Sequence, residues 1–179
     1  MFQGLRGGLG VATVAANAIF AAVTGSSIAS ASVFAKVAIP EMIRYKYNKR
    51  FAVGVVAGSS VLGMIIPPSV MLIIYAVVTE QSVGAMFLAG VLPGLLLSVA
   101  FCGAILLFVA ITPGFVGGTV SNEARVPAGK LARDAVFKLG PVALLVLVVL
   151  GGIYGGILTP VESGAAGTVA AAILGAIKR

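Results

Sequence analysis

The chain has 179 residues, 60% of them hydrophobic and only 9% charged, where a soluble domain carries about 25% charged residues, so a water-soluble globule could not cover its surface. The formal charge of +7 is gathered into clusters at 36–50, 125–138 and 178–179, the pattern of cytoplasmic loops in a membrane protein, and it argues against a nucleic-acid partner. The apolar runs are continuous rather than alternating, which excludes a transmembrane β-barrel, and the single cysteine, Cys102, excludes an internal disulfide.

Residues 7–39 are apolar but interrupted at Gly25. An arm from Gly10 to Thr24 makes a helix of ~22 Å and one from Ser27 to Ile39 a helix of ~20 Å, both short of the ~30 Å hydrocarbon layer. Arg6 precedes the pair and a basic cluster follows it, so both ends belong on one side. The pattern predicts a re-entrant helical hairpin over 1–40 with Gly25, Ser26 and Ser27 at its tip. A single spanning helix from 9 to 39 is the rival, and it would put basic ends on opposite faces. Pro40 is expected to end the second arm, because proline lacks a donor and clashes inside helices. Lys36, one turn inside by this count, reaches the interface by snorkelling.

Residues 51–112 are expected to form a broken helix and a return helix. Phe51–Thr79 would be ~43 Å as one straight helix, but it holds Gly58-Ser59-Ser60 and then Ile65-Ile66-Pro67-Pro68-Ser69. Two consecutive prolines must interrupt it, and freed backbone survives at membrane depth only in protein or beside a cavity. The reading is a discontinuous transmembrane helix, turning at Glu80-Gln81. Ser82–Thr112 returns, with Pro93 and Gly94 read as packing residues. Residues 113–140 read as a cytoplasmic connector with a short surface helix near 131–138. Residues 141–179 read as a helical pair, outward over 141–158 and back over 161–177. Between them Thr159-Pro160-Val161-Glu162 has the spacing of a capping box, which makes Thr159 and Glu162 a helix cap. The fold class is therefore all-α integral membrane: a polytopic helical bundle with a re-entrant hairpin and a discontinuous transmembrane helix, in a single multi-pass membrane domain.

The interruptions carry the chemistry. A helix end exposes unpaired backbone groups: carbonyls after Thr24, amide N–H groups from Ser26 or Ser27 onward. Carbonyl and serine oxygens are hard donors suited to Na⁺, and N–H groups at a helix start receive a carboxylate. The segment from Ser59 to Ser69 offers a second set, and two discontinuous elements meeting at the midplane are the site design of secondary transporters. The competing explanation of Gly and Ser in membrane helices is close packing.

Three segments, "GSSIASASVFAKVAIPEM", "YNKRFAVGVVAGSSVLGMIIPPS" and "GGIYGGILTPVESGAAG", in this order resemble the large membrane subunit of TRAP (tripartite ATP-independent periplasmic) transporters, the DctM type, and the resemblance covers nearly the whole chain. Departures are Lys46 where the family has glycine before tyrosine, Val161 and Ser163 where threonine and alanine are commoner, and Lys36 where a small residue is usual. The resemblance implies elevator-like, Na⁺-coupled uptake of an organic acid such as a dicarboxylate, 2-oxo acid or sialic acid, with no ATP. The partners it implies are a small four-helix membrane subunit and a periplasmic solute-binding protein, at the bacterial inner membrane. Carried onto matching positions, Gly25, Ser26, Ser27, Ser59, Ser60, Pro67, Pro68 and Ser69 form one substrate and Na⁺ half-site. No catalytic residue, no cofactor and no metal beyond Na⁺ are expected. Family members are much longer, with inverted repeats, so the chain is expected to be a fragment that does not transport alone. The alternatives are a structural membrane subunit without its own substrate site, and an intramembrane hydrolase using Ser26. The latter needs a base, and with no histidine only lysines could serve.

Overall fold

The computed structural model describes residues 7–116, 140 and 144–177. Among them every element is a helix: α1 Gly8–Thr24, α2 Ser27–Arg44, α3 Lys49–Ser60, α4 Leu62–Ile65, α5 Val70–Val78, α6 Val83–Ile111, α7 Pro113–Val116, α8 Leu144–Tyr154 and α9 Pro160–Ile177. They fall into two compact units. One holds α1 to α5, α7 and α6 from Ala85 onward; the other holds 82–84, α8 and α9. The expected surface helix at 131–138 and the basic clusters at 125–138 and 178–179 lie outside the described residues, as does Arg6.

In the first unit, α1 and α2 form a hairpin whose reversal takes two residues. Gly25 closes α1 in the left-handed region (φ 58°), its N–H donating to the Ala21 carbonyl at 2.8 Å. Ser26 is extended and caps α2, its Oγ accepting from the Ala29 N–H at 3.4 Å. This is a glycine helix stop followed at once by a serine helix start.

The second arm differs from expectation. Pro40 lies inside α2, which runs on to Arg44. Its missing N–H deprives one carbonyl, that of Lys36, of its usual donor, and both Pro40 and Lys36 are exposed. Beyond it Met42 is completely buried, and burying a methionine contributes about 1.5–3 kcal/mol where water is the alternative, enough to offset much of proline's ~3 kcal/mol penalty in a helix interior. The helix then closes through Tyr45 N–H to Glu41 O and Tyr47 N–H to Met42 O, at 3.1 and 3.0 Å.

Lys46 has φ 62°. That conformation favours glycine, so the lysine here sits on a strained turn. Asn48 then starts α3, its Oδ1 accepting from the Arg50 N–H at 2.9 Å, while its own N–H donates to the Val116 carbonyl at the end of α7 (3.1 Å). Phe51 stacks on Tyr47 and meets Phe115 edge-on, so the α2–α3 corner and α7 are closed by one aromatic cluster.

The interruption after α4 is where the prolines place it. Ile66, preceding Pro67, is extended (φ −73°, ψ 122°), as a residue before proline must be. Pro67-Pro68 is a cis peptide. Helix resumes at Val70, and the halves Lys49–Ile65 and Val70–Val78 are bent by 43°. Helix α6 is 29 residues of continuous helix with Pro93 inside it, ~43 Å long. By length and composition it is able to cross a membrane. Its outward residues Leu92, Leu96 and Val99 are 66%, 62% and 69% exposed, a face a soluble protein would not leave open.

In the second unit, α8 ends at Tyr154 and a turn precedes α9, with the Ile157 and Leu158 N–H groups both on the Gly152 carbonyl (3.1 and 3.0 Å). The expected outward crossing over 141–158 is therefore helical only to Tyr154 among its described residues.

Candidate functional site

The hairpin tip sits on the break. The Val70 N–H, first of α5, donates to the Gly25 carbonyl at 3.3 Å, so the end of one interrupted helix answers the start of another. Both sides approach at backbone distance. A Cβ on Gly25 would lie 2.5 Å from the Pro68 carbonyl oxygen, and one on Gly63 would lie 2.9 Å from the Ser26 carbonyl carbon and the Ser27 nitrogen. Glycine is the residue that permits such contact, and at Gly25 the left-handed backbone demands it as well.

Each residue expected in the half-site has a definite place. Gly25, Ser26 and Ser27 form the tip, and Pro67, Pro68 and Ser69 the facing break. Proline at 67 and 68 removes the N–H donors that a continuous helix would offer to the Gly63 and Met64 carbonyls. The Ser69 hydroxyl takes up one of these, donating to Met64 O at 2.8 Å. Ser69 is fully buried, whereas Ser26 and Ser27 are part-exposed.

Among the described residues, the hydrogen bonds of Gly58-Ser59-Ser60 go elsewhere than to the tip triplet. It forms the last turn of α3. A Cβ on Gly58 would lie 3.0 Å from the Phe101 ring of α6. The Ser59 and Ser60 hydroxyls donate back to Val55 O and Val56 O at 2.7 and 2.6 Å, a helix-internal bond that satisfies a hydroxyl away from water.

Sequence reasoning missed Asn17. It is fully buried in the middle of α1. Its Nδ2 donates to Ser59 Oγ at 2.7 Å and to Ser60 Oγ at 3.3 Å, and its Oδ1 accepts from Ser30 Oγ of α2. One amide thus joins α1, α2 and α3. The signal was available: an asparagine within the apolar stretch "VAANAIF" must find a partner across a helix interface.

A second missed feature is Gly90, four residues before Gly94 on α6. A Cβ on Gly90 would lie 2.7 Å from the Ile65 carbonyl oxygen and 2.8 Å from a Leu72 methyl; one on Gly94 would lie 2.9 Å from Ile66 Cγ1. The small-xxx-small spacing that lets membrane helices close on one another here closes α6 on the break. Pro93 lies between them, and the packing role expected of Gly94 is what its surroundings show.

At the start of α9, the Thr159 N–H donates to Glu162 Oε2 at 2.7 Å and the Glu162 N–H to Thr159 Oγ1 at 3.3 Å. Both members of the capping box are exposed, and their polar groups are turned on each other. Nearby Ser163 is fully buried, and among the described residues its Oγ has no hydrogen-bond partner. A buried orphan hydroxyl is destabilising, so Ser163→Ala, which installs the residue common at this position in the family, should leave stability unchanged or raise it by up to about 1 kcal/mol. Thermal unfolding in detergent would register a clear drop if the hydroxyl has a partner after all.

Comparison with known proteins follows the same lines. The model of the family described as "Tripartite ATP-independent periplasmic transporter, DctM component" matches residues 1–179. The chain belongs to the DctM family. Among its relatives, the C4-dicarboxylate TRAP transporter large permease protein DctM of Vibrio cholerae is 40% identical over 170 residues, which is 92% of this chain and 35% of the relative. The protein of the same description from Pseudomonas aeruginosa is 39% identical over 176 residues, 95% of this chain and 38% of the relative. The sialic acid TRAP transporter large permease protein SiaM of Vibrio cholerae is 34% identical over 173 residues, 97% of this chain and 39% of the relative. This DctM-family chain thus spans less than half the length of the curated relatives it matches. All three are named as large permease proteins of TRAP transporters, not as enzymes.

Proposed function

We propose that the chain is part of the large membrane subunit of a TRAP-type secondary transporter in a bacterial inner membrane, taking up an organic acid with Na⁺ as coupling ion. A periplasmic solute-binding protein delivers the acid, and a small four-helix membrane subunit completes the assembly. The observation that carries this reading is the meeting of the Gly25 carbonyl with the Val70 N–H, where two helix interruptions face each other at backbone distance.

The chemistry follows from that meeting. Helix α1 ends at the junction with carbonyls, and α2 and α5 begin there with N–H groups. The carbonyl ends, with the Ser26 and Ser27 hydroxyls, supply oxygen to Na⁺; the N–H ends favour a carboxylate. Ser69 and the two prolines keep the break open on the facing side. Ser59 and Ser60 form the inner layer of the same half-site. In this reading the hairpin is re-entrant and its tip lies near the midplane, where secondary transporters build their sites.

Ser26→Ala, made in a full-length permease carrying this segment, tests the reading. It removes a hydroxyl from the proposed ion site and the cap of α2. Uptake into proteoliposomes should fall, and the Na⁺ concentration for half-maximal uptake should rise about five- to tenfold, the size of effect expected for one lost ligand or cap. A structural subunit without a substrate site predicts parent-like uptake and parent-like Na⁺ dependence.

A further inference from the structure

We infer that Asn17 is a positioning residue for the proposed ion site: its three-way hydrogen-bond hub holds the hairpin tip at the height where it meets the break. The inference rests on the half-site reading above and adds to it a residue that touches neither ion nor substrate.

The hub lies away from the junction. Counted along the helices, Asn17 is ~12 Å from Gly25, Ser30 ~6 Å from Ser26, and Ser60 ~9 Å from Ile66. Asn17, Ser30 and Ser59 are fully buried and Ser60 is 3% exposed. Both amide hydrogens of Asn17 are engaged, and its oxygen accepts from Ser30. A helix slid by one residue moves by ~1.5 Å and turns by ~100°. In α1 either motion moves Asn17 relative to all three hydroxyls at once, and in α2 or α3 relative to those that helix carries, in surroundings without water to replace them.

The junction itself is held more loosely. Its hydrogen bond between hairpin and break, Val70 N–H to Gly25 O, is long at 3.3 Å, and the glycine contacts around it are steric rather than directional. Between hydrocarbon-facing helices there is no water exclusion to fix register, so polar contacts and close packing must do so. Among the described residues, the side-chain hydrogen bonds that join α1 to α2 and to α3 are those of Asn17 with Ser30, Ser59 and Ser60. The spacing of the oxygens at the tip is therefore inherited from the hub.

The test uses a full-length permease carrying this segment, with Asn17→Ala, Ser30→Ala and Ser26→Ala compared. The readouts are Na⁺ dependence of uptake and amide hydrogen exchange of peptides covering 24–27 and 69–71. Asn17→Ala should raise the half-saturating Na⁺ concentration by about tenfold, the effect of losing a satisfied buried network, with a smaller fall in maximal rate. Exchange at both peptides should speed up. Ser30→Ala, which deletes one arm of the hub, should move both readouts the same way by less, and it carries the test should Asn17→Ala not fold. Folded Asn17→Ala or Ser30→Ala protein with parent-like Na⁺ dependence, alongside a weakened Ser26→Ala, overturns the positioning role and leaves the half-site standing. A flat response to Ser26→Ala removes the half-site instead; tip exchange then decides the hub alone, and unchanged exchange in the hub variants overturns it.

Discussion

Gly25→Ala, in a full-length permease, should abolish most Na⁺-dependent uptake while the protein still inserts and folds. Two costs add at this residue. Its φ of 58° charges an L-residue about 1–2 kcal/mol. Independently, a Cβ would press on the Pro68 carbonyl oxygen at 2.5 Å, and that neighbour is backbone, which cannot swing aside. Relief comes only by lifting the tip off the break, which breaks the Val70 N–H to Gly25 O bond. A loss of uptake of at least about tenfold corresponds to ~1.4 kcal/mol in the working state, less than the two costs together. Gly25→Asn separates them. Asparagine tolerates the left-handed region but brings the same Cβ, so it should be nearly as inactive as alanine. Recovery with asparagine would assign the effect to backbone strain; parent-like transport by both variants would remove the junction from the mechanism.

The parts of this architecture that were legible in the sequence are those written in covalent constraint. Pro67-Pro68 cannot continue a helix, and the break is there. Gly25 followed by Ser26 reads as a stop and a start, and the chain reverses there in two residues. Thr159 and Glu162 bond each other across the spacing of a capping box. What was not legible depends on what packs against what. Pro40 looked like a terminator, but buried Met42 carries α2 past it. The two Gly-Ser-Ser triplets looked equivalent. The first is a turn between two helices, and the second is the last turn of α3, where Asn17 and Phe101, both distant in sequence, meet it. Asn17 could be read locally as a buried amide in need of a partner; which helices would supply it could not. Its importance arises only when three helices bring it three hydroxyls.

The same distinction between local propensity and tertiary contact gives a second large effect, on α6. Gly90→Ala and Gly103→Ala make the same chemical change in the same helix, and in both the intrinsic preference of alanine over glycine favours the variant by roughly 1 kcal/mol. At Gly103 a Cβ would meet nothing within 4 Å, whereas at Gly90 it would lie 2.7 Å from the Ile65 carbonyl oxygen. Gly103→Ala should therefore unfold at the parent temperature or higher. Gly90→Ala should be destabilised, since overpacking typically costs about 1–3 kcal/mol and outweighs the propensity gain. The consequence for function is directional. Ile65 is the last residue of α4, and Gly63 two residues earlier meets the hairpin tip, so strain at Gly90 is passed to the helix that the tip packs on. Gly90→Ala should weaken Na⁺ dependence of uptake as well as stability, and Gly103→Ala should change neither unfavourably. Equal melting temperatures and equal Na⁺ responses for the two variants would mean that α6 does not close on the break, and that the site's rigidity comes from the hairpin side alone.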